Sequence, residues 1–135
     1  MATQIYLNIS VKDLNRSVQF FTKLGYTFNP QFTDENATCM NISEDIFVML
    51  LVEKFFQTFT TKEIADATKT VEAMIGLSAD SRAKVDEMMS KAIEAGATEP
   101  RPLTDHGWMY TRNFQDLDGH LWEIFFMDIN AMPQG

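Results

Sequence analysis

Apolar and polar residues alternate in two separate stretches of the chain, residues 4–11 and residues 71–78. This period of two predicts a strand with one buried and one polar face. A polar residue suited to a helix N-cap follows each stretch: Asp13 in the first case, and Asp80 or Ser81 in the second. The pattern therefore predicts two strands, each leading into a helix.

Apolar residues at helical spacing follow both caps. Each series ends at a glycine, Gly25 in the first helix and Gly96 in the second, and glycine is typical of the residue just after a helix. We expect two amphipathic helices that pack on the sheet. Their inward residues are Leu14, Val18 and Phe21 in the first helix and Val85, Met88, Met89 and Ala92 in the second.

Further strands are predicted at residues 26–32, 37–42 and 46–52. The last of these is apolar throughout, so we expect both of its faces to be buried. Residues 109–127 form two apolar runs around Asp118-Gly119, a pair that is the strongest short-range signal for an antiparallel hairpin.

The segment between the two halves, residues 54–69, breaks the strand pattern. Three phenylalanines precede Thr60-Thr61-Lys62-Glu63, a capping box that predicts a short helix with Ile64 and Ala67 inward. The segment is either a lid over a binding site or a connector.

The two halves therefore repeat one β-α-β-β-β unit. We expect a single domain, residues 1–135, made of a first module at 1–53, the connector at 54–69 and a second module at 70–130. Superposing the modules puts Tyr6 opposite Met74 and Leu50 opposite Glu123. We expect these four positions to surround one cavity.

Composition and charge limit the classes of partner that the chain is expected to bind. With 135 residues and 45% hydrophobic residues, the chain can bury one sizeable core. Its net charge of -8 repels phosphate backbones and anionic membranes, so neither nucleic acid nor a membrane is an expected partner. The one cysteine, Cys39, cannot form an intrachain disulfide. The first strand pattern begins at Gln4, which leaves no room for a signal peptide, so we expect a cytoplasmic protein.

Glu123 is the candidate catalytic residue, because it lies among apolar neighbours on both faces of the predicted hairpin. An ionised carboxylate there is costly unless it is paired, hydrogen-bonded or bound to a metal. Arg112 is the natural counter-ion; without a partner, Glu123 becomes a candidate general base. The first arm of the hairpin presents either Tyr110, Arg112 and Phe114 or Met109, Thr111 and Asn113 to the cavity. The expected ligand-binding residues are Tyr6, Asn8, Val48, Leu50, Glu72, Met74, Tyr110, Arg112 and Phe125.

Three stretches, ISVKDLNRSVQFFTKLGYTF, LSADSRAKVDEMMSKAIEAGATE and FQDLDGHLWEIFF, carry a family resemblance. The chain resembles the vicinal oxygen chelate superfamily, which includes glyoxalase I, extradiol dioxygenases and the fosfomycin and bleomycin resistance proteins. It looks most like small bacterial predicted lactoylglutathione lyases. The resemblance implies an α+β fold in which two β-α-β-β-β modules pair around a curved mixed sheet.

In metal-dependent members of that family, His or Glu side chains at four positions hold one divalent ion. Only Glu123 matches this pattern, since Tyr6, Leu50 and Met74 occupy the other three positions. We therefore expect no resident cofactor. If a divalent metal does bind, Glu123 would hold it together with Glu72 or His106.

Two classes of function follow. The first is a metal-free protein that binds a small organic molecule, as the resistance proteins do. The second is an enzyme, either a lactoylglutathione lyase-like or dioxygenase-like protein with an altered metal site or a metal-free acid-base catalyst that uses Glu123. The duplication and the resemblance also predict a homodimer.

Overall fold

Two four-stranded mixed sheets, each with its own helix, form in the computed structural model, which describes residues 2–133. The chain divides into two compact units, Met1–Ala65 and Asp66–Gly135. The elements of the first unit are β1 (Ile5–Val11), α1 (Leu14–Lys23), β2 (Thr27–Asn29), β3 (Ala37–Ser43), β4 (Ile46–Val52) and α2 (Glu53–Phe56), with 3-10 turns at Pro30–Phe32 and Gln57–Phe59. Those of the second unit are β5 (Met74–Ser78), α3 (Arg82–Glu94), β6 (Thr104–Asp105), β7 (Met109–Gln115), β8 (Leu121–Met127) and a 3-10 turn at Ile129–Ala131.

The two sheets share one topology. Their strand orders are β1-β4-β3-β2 and β5-β8-β7-β6. In each sheet the first pair is parallel and the remaining pairs are antiparallel. The predicted α+β class and the duplicated β-α-β-β-β unit are confirmed.

Both long helices begin and end where the sequence predicts. The Asp13 side chain accepts a hydrogen bond from the Arg16 backbone N–H, and the Ser81 hydroxyl accepts one from that of Lys84. The residues after the helices, Gly25 and Gly96, have positive φ angles, which suit glycine. Among the described residues, no helix is long and apolar enough to cross a membrane.

One helix packs on each sheet and buries one of its faces. In the first unit, α1 packs on β4, where Val48 and Leu50 are fully buried. In the second unit, α3 packs on β7 and β8. Its buried residues are the predicted ones, Val85, Met88, Met89 and Ala92. Each large apolar side chain buried in this way contributes about 1.5–3 kcal/mol.

Three predictions about the strands are wrong. Strand β2 ends at Asn29 rather than Phe32, because Pro30 has no N–H for the ladder and the Asn29 side chain caps the following 3-10 turn. Strand β5 begins at Met74 rather than at residue 71. Strand β4 is not fully buried on both faces, since Phe47 and Met49, which lie on the face opposite Val48 and Leu50, are only half-buried.

The helix predicted from the Thr60 capping box does not form. The Thr60 hydroxyl accepts a hydrogen bond from the Lys62 N–H, two residues ahead, which closes a turn instead of a helix cap. The Gln57 side-chain amide donates to the carbonyls of Thr60 and Lys62. Helix α2 and the turn after it lie earlier in the chain, before Thr60.

The predicted hairpin of β7 and β8 is confirmed. In its turn, one carboxylate oxygen of Asp116 accepts hydrogen bonds from the N–H groups of Asp118 and His120, and the other accepts one from Trp122 Nε1 at 2.9 Å. Gly119 has a φ of 96°. A Cβ at Gly119 would lie 2.7 Å from the backbone of Ala67.

We expect Gly119→Ala to destabilise the protein more than Gly107→Ala does. Both positions have positive φ, which costs a residue with a Cβ about 1–2 kcal/mol. A Cβ at Gly107 has nothing within 4 Å, whereas at Gly119 the clash with backbone adds about 1–3 kcal/mol. Urea unfolding measures the free energy of unfolding of both variants. Equal losses of stability would show that the backbone around Ala67 moves away from the added Cβ at little cost.

Candidate functional site

The sheet of the second unit has one face covered by α3 and one face away from it, which we call the distal face. Trp122 and Ile124 of β8 are buried on the α3 side. Because side chains alternate along a strand, Glu123 lies on the distal face. The residues of the distal face are Met74, Gly76, Ser78, Thr111, Asn113, Leu121, Glu123 and Phe125.

Glu123 occupies the centre of a row that crosses three strands. It is in register with Gly76 on β5 and with Asn113 on β7. The carboxylate leans over the glycine, because its Oε2 lies 3.8 Å from the place where a Gly76 Cβ would be. Leu121 and Phe125, two residues away along β8, are half-buried apolar neighbours.

The Glu123 carboxylate is half-buried and makes no hydrogen bond or ion pair with any residue from 2 to 133. Its neighbour Asn113 is 8% exposed, and the Asn113 side-chain oxygen is buried without a hydrogen-bond partner in this part of the chain. Such an atom is uncommon, since buried polar groups are nearly always hydrogen-bonded. The row therefore holds two polar side chains without partners among the described residues.

The predicted pairing of Arg112 with Glu123 is wrong. Arg112 lies on the α3 side, where it makes a two-pronged contact with Glu99 at 2.8 and 2.9 Å and a third contact with Asp86 at 3.0 Å. The hydrogen bond from Arg112 lowers the pKa of the Glu99 carboxyl. The hydrogen bonds to Glu99 and Asp86 raise the pKa of Arg112 further.

Tyr110 also lies on the α3 side rather than beside Glu123. Its hydroxyl donates to Asp86 of α3 at 2.7 Å, and this hydrogen bond lowers the pKa of the Asp86 carboxyl. The Arg82 guanidinium lies 5.0 Å from the centre of the Tyr110 ring. Tyr110 and Arg112 thus fasten α3 to the sheet and do not line the distal face.

In the first unit, the corresponding face lies away from α1 and carries Tyr6, Asn8, Phe47 and Met49. The Tyr6 and Phe47 rings stack with their centres 4.8 Å apart, and Tyr6 is 46% exposed. Val48 and Leu50 were predicted to line the cavity, but both are buried on the opposite, α1 side. An apolar run offers no alternation by which its two faces can be told apart.

The register of the two sheets identifies the true counterpart of Glu123. In the second unit, Glu123 pairs with the residue two after Met74, and in the first unit the residue two after Tyr6 is Asn8, which pairs with Met49. Met49 therefore replaces Leu50 as the position equivalent to Glu123.

The three-ligand alternative of Glu72, His106 and Glu123 does not form. Glu72 is exposed and precedes β5, and His106 is exposed in the loop after β6. Among residues 2–133, no three His, Cys, Asp or Glu side chains come together in a group that could hold a metal ion.

Comparison with known proteins gives a family match over the first part of the chain. Residues 3–43 match the family model for the bleomycin resistance protein-like N-terminal region. A hypothetical protein from S. aureus, SA1046, is 30% identical, with 93% of this chain and 95% of that chain covered and a TM-score of 0.78. The chain therefore carries a bleomycin resistance protein-like N-terminal region and shares its fold with that relative over nearly its whole length.

Two more distant structures show the same fold. A glyoxalase/bleomycin resistance protein/dioxygenase family enzyme from Burkholderia phytofirmans PsJN is 16% identical, with 93% and 99% of the two chains covered and a TM-score of 0.78. The fosfomycin resistance protein FosX from Mesorhizobium loti is 15% identical, with 96% of each chain covered and a TM-score of 0.71. No curated protein matches the sequence significantly.

The residues of this chain do not fit the metal site of the metal-dependent members of the family that it resembles. The four positions hold Tyr6 and Met49 in the first unit and Met74 and Glu123 in the second, so Glu123 is the only carboxylate among them. A divalent ion bound by oxygen and nitrogen ligands generally takes three or more protein side chains, and a thioether is a poor ligand for it. The donor set at these positions is therefore not that of a metalloenzyme.

Sequence reasoning missed Gly76, and it named Asn113 only as part of the alternative face of the hairpin's first arm. Counting outward from the five-residue turn, residues 116–120, would have paired Asn113 with Glu123, and the parallel pairing of β5 with β8 would have brought Gly76 to the other side. The signal was the register of the hairpin, which its turn fixes.

We expect Glu123→Gln to leave stability within about 0.5 kcal/mol of the unmodified protein, because no protein partner is lost. Glu99→Gln removes the same charge from a carboxylate that Arg112 holds with two hydrogen bonds. It should cost about 1–2 kcal/mol. Urea unfolding at neutral pH compares the two, and a loss for Glu123→Gln as large as that for Glu99→Gln would give Glu123 a structural role.

Proposed function

We propose that this protein binds a small organic molecule on the distal face of the second unit, around Glu123, without the divalent metal of the metal-dependent family members. The observation that carries this proposal is the row of Gly76, Glu123 and Asn113, in which two polar side chains have no partner among the described residues. A few polar groups among apolar neighbours are typical of small-molecule sites.

The corresponding face of the first unit carries an aromatic surface of its own. The exposed Tyr6 ring and the Phe47 ring stacked on it offer aromatic area for an organic ligand. The prediction that both modules line one cavity remains a prediction.

We expect a ligand-detected NMR screen of small neutral and charged fragments to find binders that Glu123→Gln loses. Glu94→Gln is the matched control, because it removes the same charge from an exposed residue of the same unit, at the end of α3. The change at Glu123 removes a charged acceptor and should weaken binding about tenfold or more. A screen without binders, or binders lost equally in both variants, would contradict the proposal.

A metal-free acid-base enzyme is the alternative that the same carboxylate favours. A carboxylate with no protein partner can accept a proton from a bound molecule that it touches. In that case Glu123→Gln would abolish turnover while the bound molecule still protects the protein against heat.

A metal-dependent lactoylglutathione lyase is the other enzyme alternative. We expect no stoichiometric metal after dialysis, and no lyase activity in added nickel, zinc, cobalt or manganese, because one carboxylate does not fix the geometry that tight sites require. Elemental analysis and the lyase assay test this. One tightly held metal per chain, or metal-dependent activity that Glu123→Gln abolishes, would restore the metalloenzyme.

We also propose a homodimer, since duplicated modules of this size are commonly completed by a symmetric partner. The expected result of light scattering is twice the chain mass of 15.4 kDa. A constant mass of 15.4 kDa across the micromolar range would contradict it.

A further inference from the structure

The glycine beside Glu123 has no conformational reason to be a glycine. Gly76 lies inside β5, and its φ angle is not among the positive ones of the chain. Glycine in the interior of a strand weakens the strand and often marks a place where a ligand approaches closely. A Cβ at Gly76 would meet Phe125 Cε1 at 3.5 Å and Glu123 Oε2 at 3.8 Å, which are ordinary contacts. Neither the backbone nor packing therefore excludes a side chain there.

The absent side chain leaves a notch, which we define as the space above Gly76 between the Glu123 carboxylate and the edge of the Phe125 ring. Gly76 is exposed, so the notch opens to the surroundings. A carboxylate on one side and an aromatic ring on the other suit an organic cation, which the carboxylate attracts and the ring also favours.

Asn113 supplies a second, independent indication on the far side of Glu123. Its side chain is more than nine-tenths buried and its oxygen has no partner among residues 2–133. Carboxylate and amide oxygens both accept hydrogen bonds. A group with several N–H donors would match them.

We propose that Gly76 is a specificity-determining residue whose notch admits the cationic end of the ligand, a planar amidinium or guanidinium that donates to Glu123 and Asn113. This inference rests on the proposed function and names the chemical class of the molecule bound there. The net charge of -8 favours the approach of a cation.

Three probes of one size and shape test the class: benzamidinium, neutral benzamide and anionic benzoate. Each is titrated into the full-length, isotope-labelled protein while the backbone signals of Gly76 and Glu123 and the side-chain amide of Asn113 are followed by NMR. Benzamidinium should shift these signals and bind at least about tenfold more tightly than benzamide, and benzoate should not compete.

Two variants test whether the organic cation binds in the notch above Gly76. Gly76→Ala keeps the charge and folds without strain, but its methyl group fills the notch and should weaken benzamidinium binding about tenfold. In the Glu123→Gln background the same substitution should have little further effect, because the two residues act on one contact. Equal weakening in both backgrounds would overturn the role of Gly76.

The failures of the inference and of the proposed function can be told apart. Benzamide binding as tightly as benzamidinium, or benzoate binding more tightly, would overturn the cationic class and leave ligand binding at this face intact. The fragment screen could also find binders that Glu123→Gln loses while none of the three probes changes the NMR signals. That result would likewise overturn the cationic class and leave ligand binding at this face intact. A fragment screen without binders would overturn the proposed function itself.

Discussion

The position of Trp122 is the constraint on which the second unit depends. Its side chain is fully buried, its ring lies parallel to that of Phe114 at 6.1 Å, and its Nε1 donates to Asp116. Side chains alternate along a strand, so Trp122 on the α3 side sends Glu123 to the distal face. A slip of one residue would bury the carboxylate under α3 and expose the indole, and both changes cost free energy.

The turn holds that register from the other end of the strand. Asp116 is buried, and burial raises the pKa of its carboxyl, while hydrogen bonds from Trp122 and from the backbone N–H groups of Asp118 and His120 oppose the rise. One side chain thus closes the turn and orients the indole. The same register brings Asn113 beside Glu123. The register of the strands places Gly76, Glu123 and Asn113 in one row.

Local sequence patterns predicted most of the fold wherever apolar and polar residues marked the two faces of an element clearly. The helices were correct because each had a cap, a glycine and a period of apolar residues, as at Asp13 and Gly25. The faces of β4 were assigned wrongly because Ile46–Val52 has no polar residue to mark a face. Thr60 had the sequence of a capping box, but its hydroxyl bonds two residues ahead, and sequence spacing cannot decide between these two hydrogen bonds.

Partners across the sheet were the least predictable part of the candidate site. Arg112 lies in the strand next to Glu123, and this proximity suggested a pair. However, Arg112 is in register with Ile124, the residue after Glu123, and therefore lies on the other face of the sheet. There Glu99, from the segment after α3, and Asp86, from α3 itself, hold it. Both acceptors are distant from Arg112 in the sequence, so the local pattern of the hairpin does not predict them.

This arrangement of charge also keeps Arg82 and Arg112 away from Glu123, which has no hydrogen-bond or ion-pair partner among residues 2–133. Arg112 is held by Glu99 and Asp86, and Arg82 is held by Asp105, all on the side of the sheet or loops away from the row. A half-buried carboxylate without a cation must take its hydrogen bonds from water or from a bound molecule. Arg82 and Arg112 are both paired with other carboxylates, and Gly76 leaves space beside the Glu123 carboxylate that the proposed ligand would occupy.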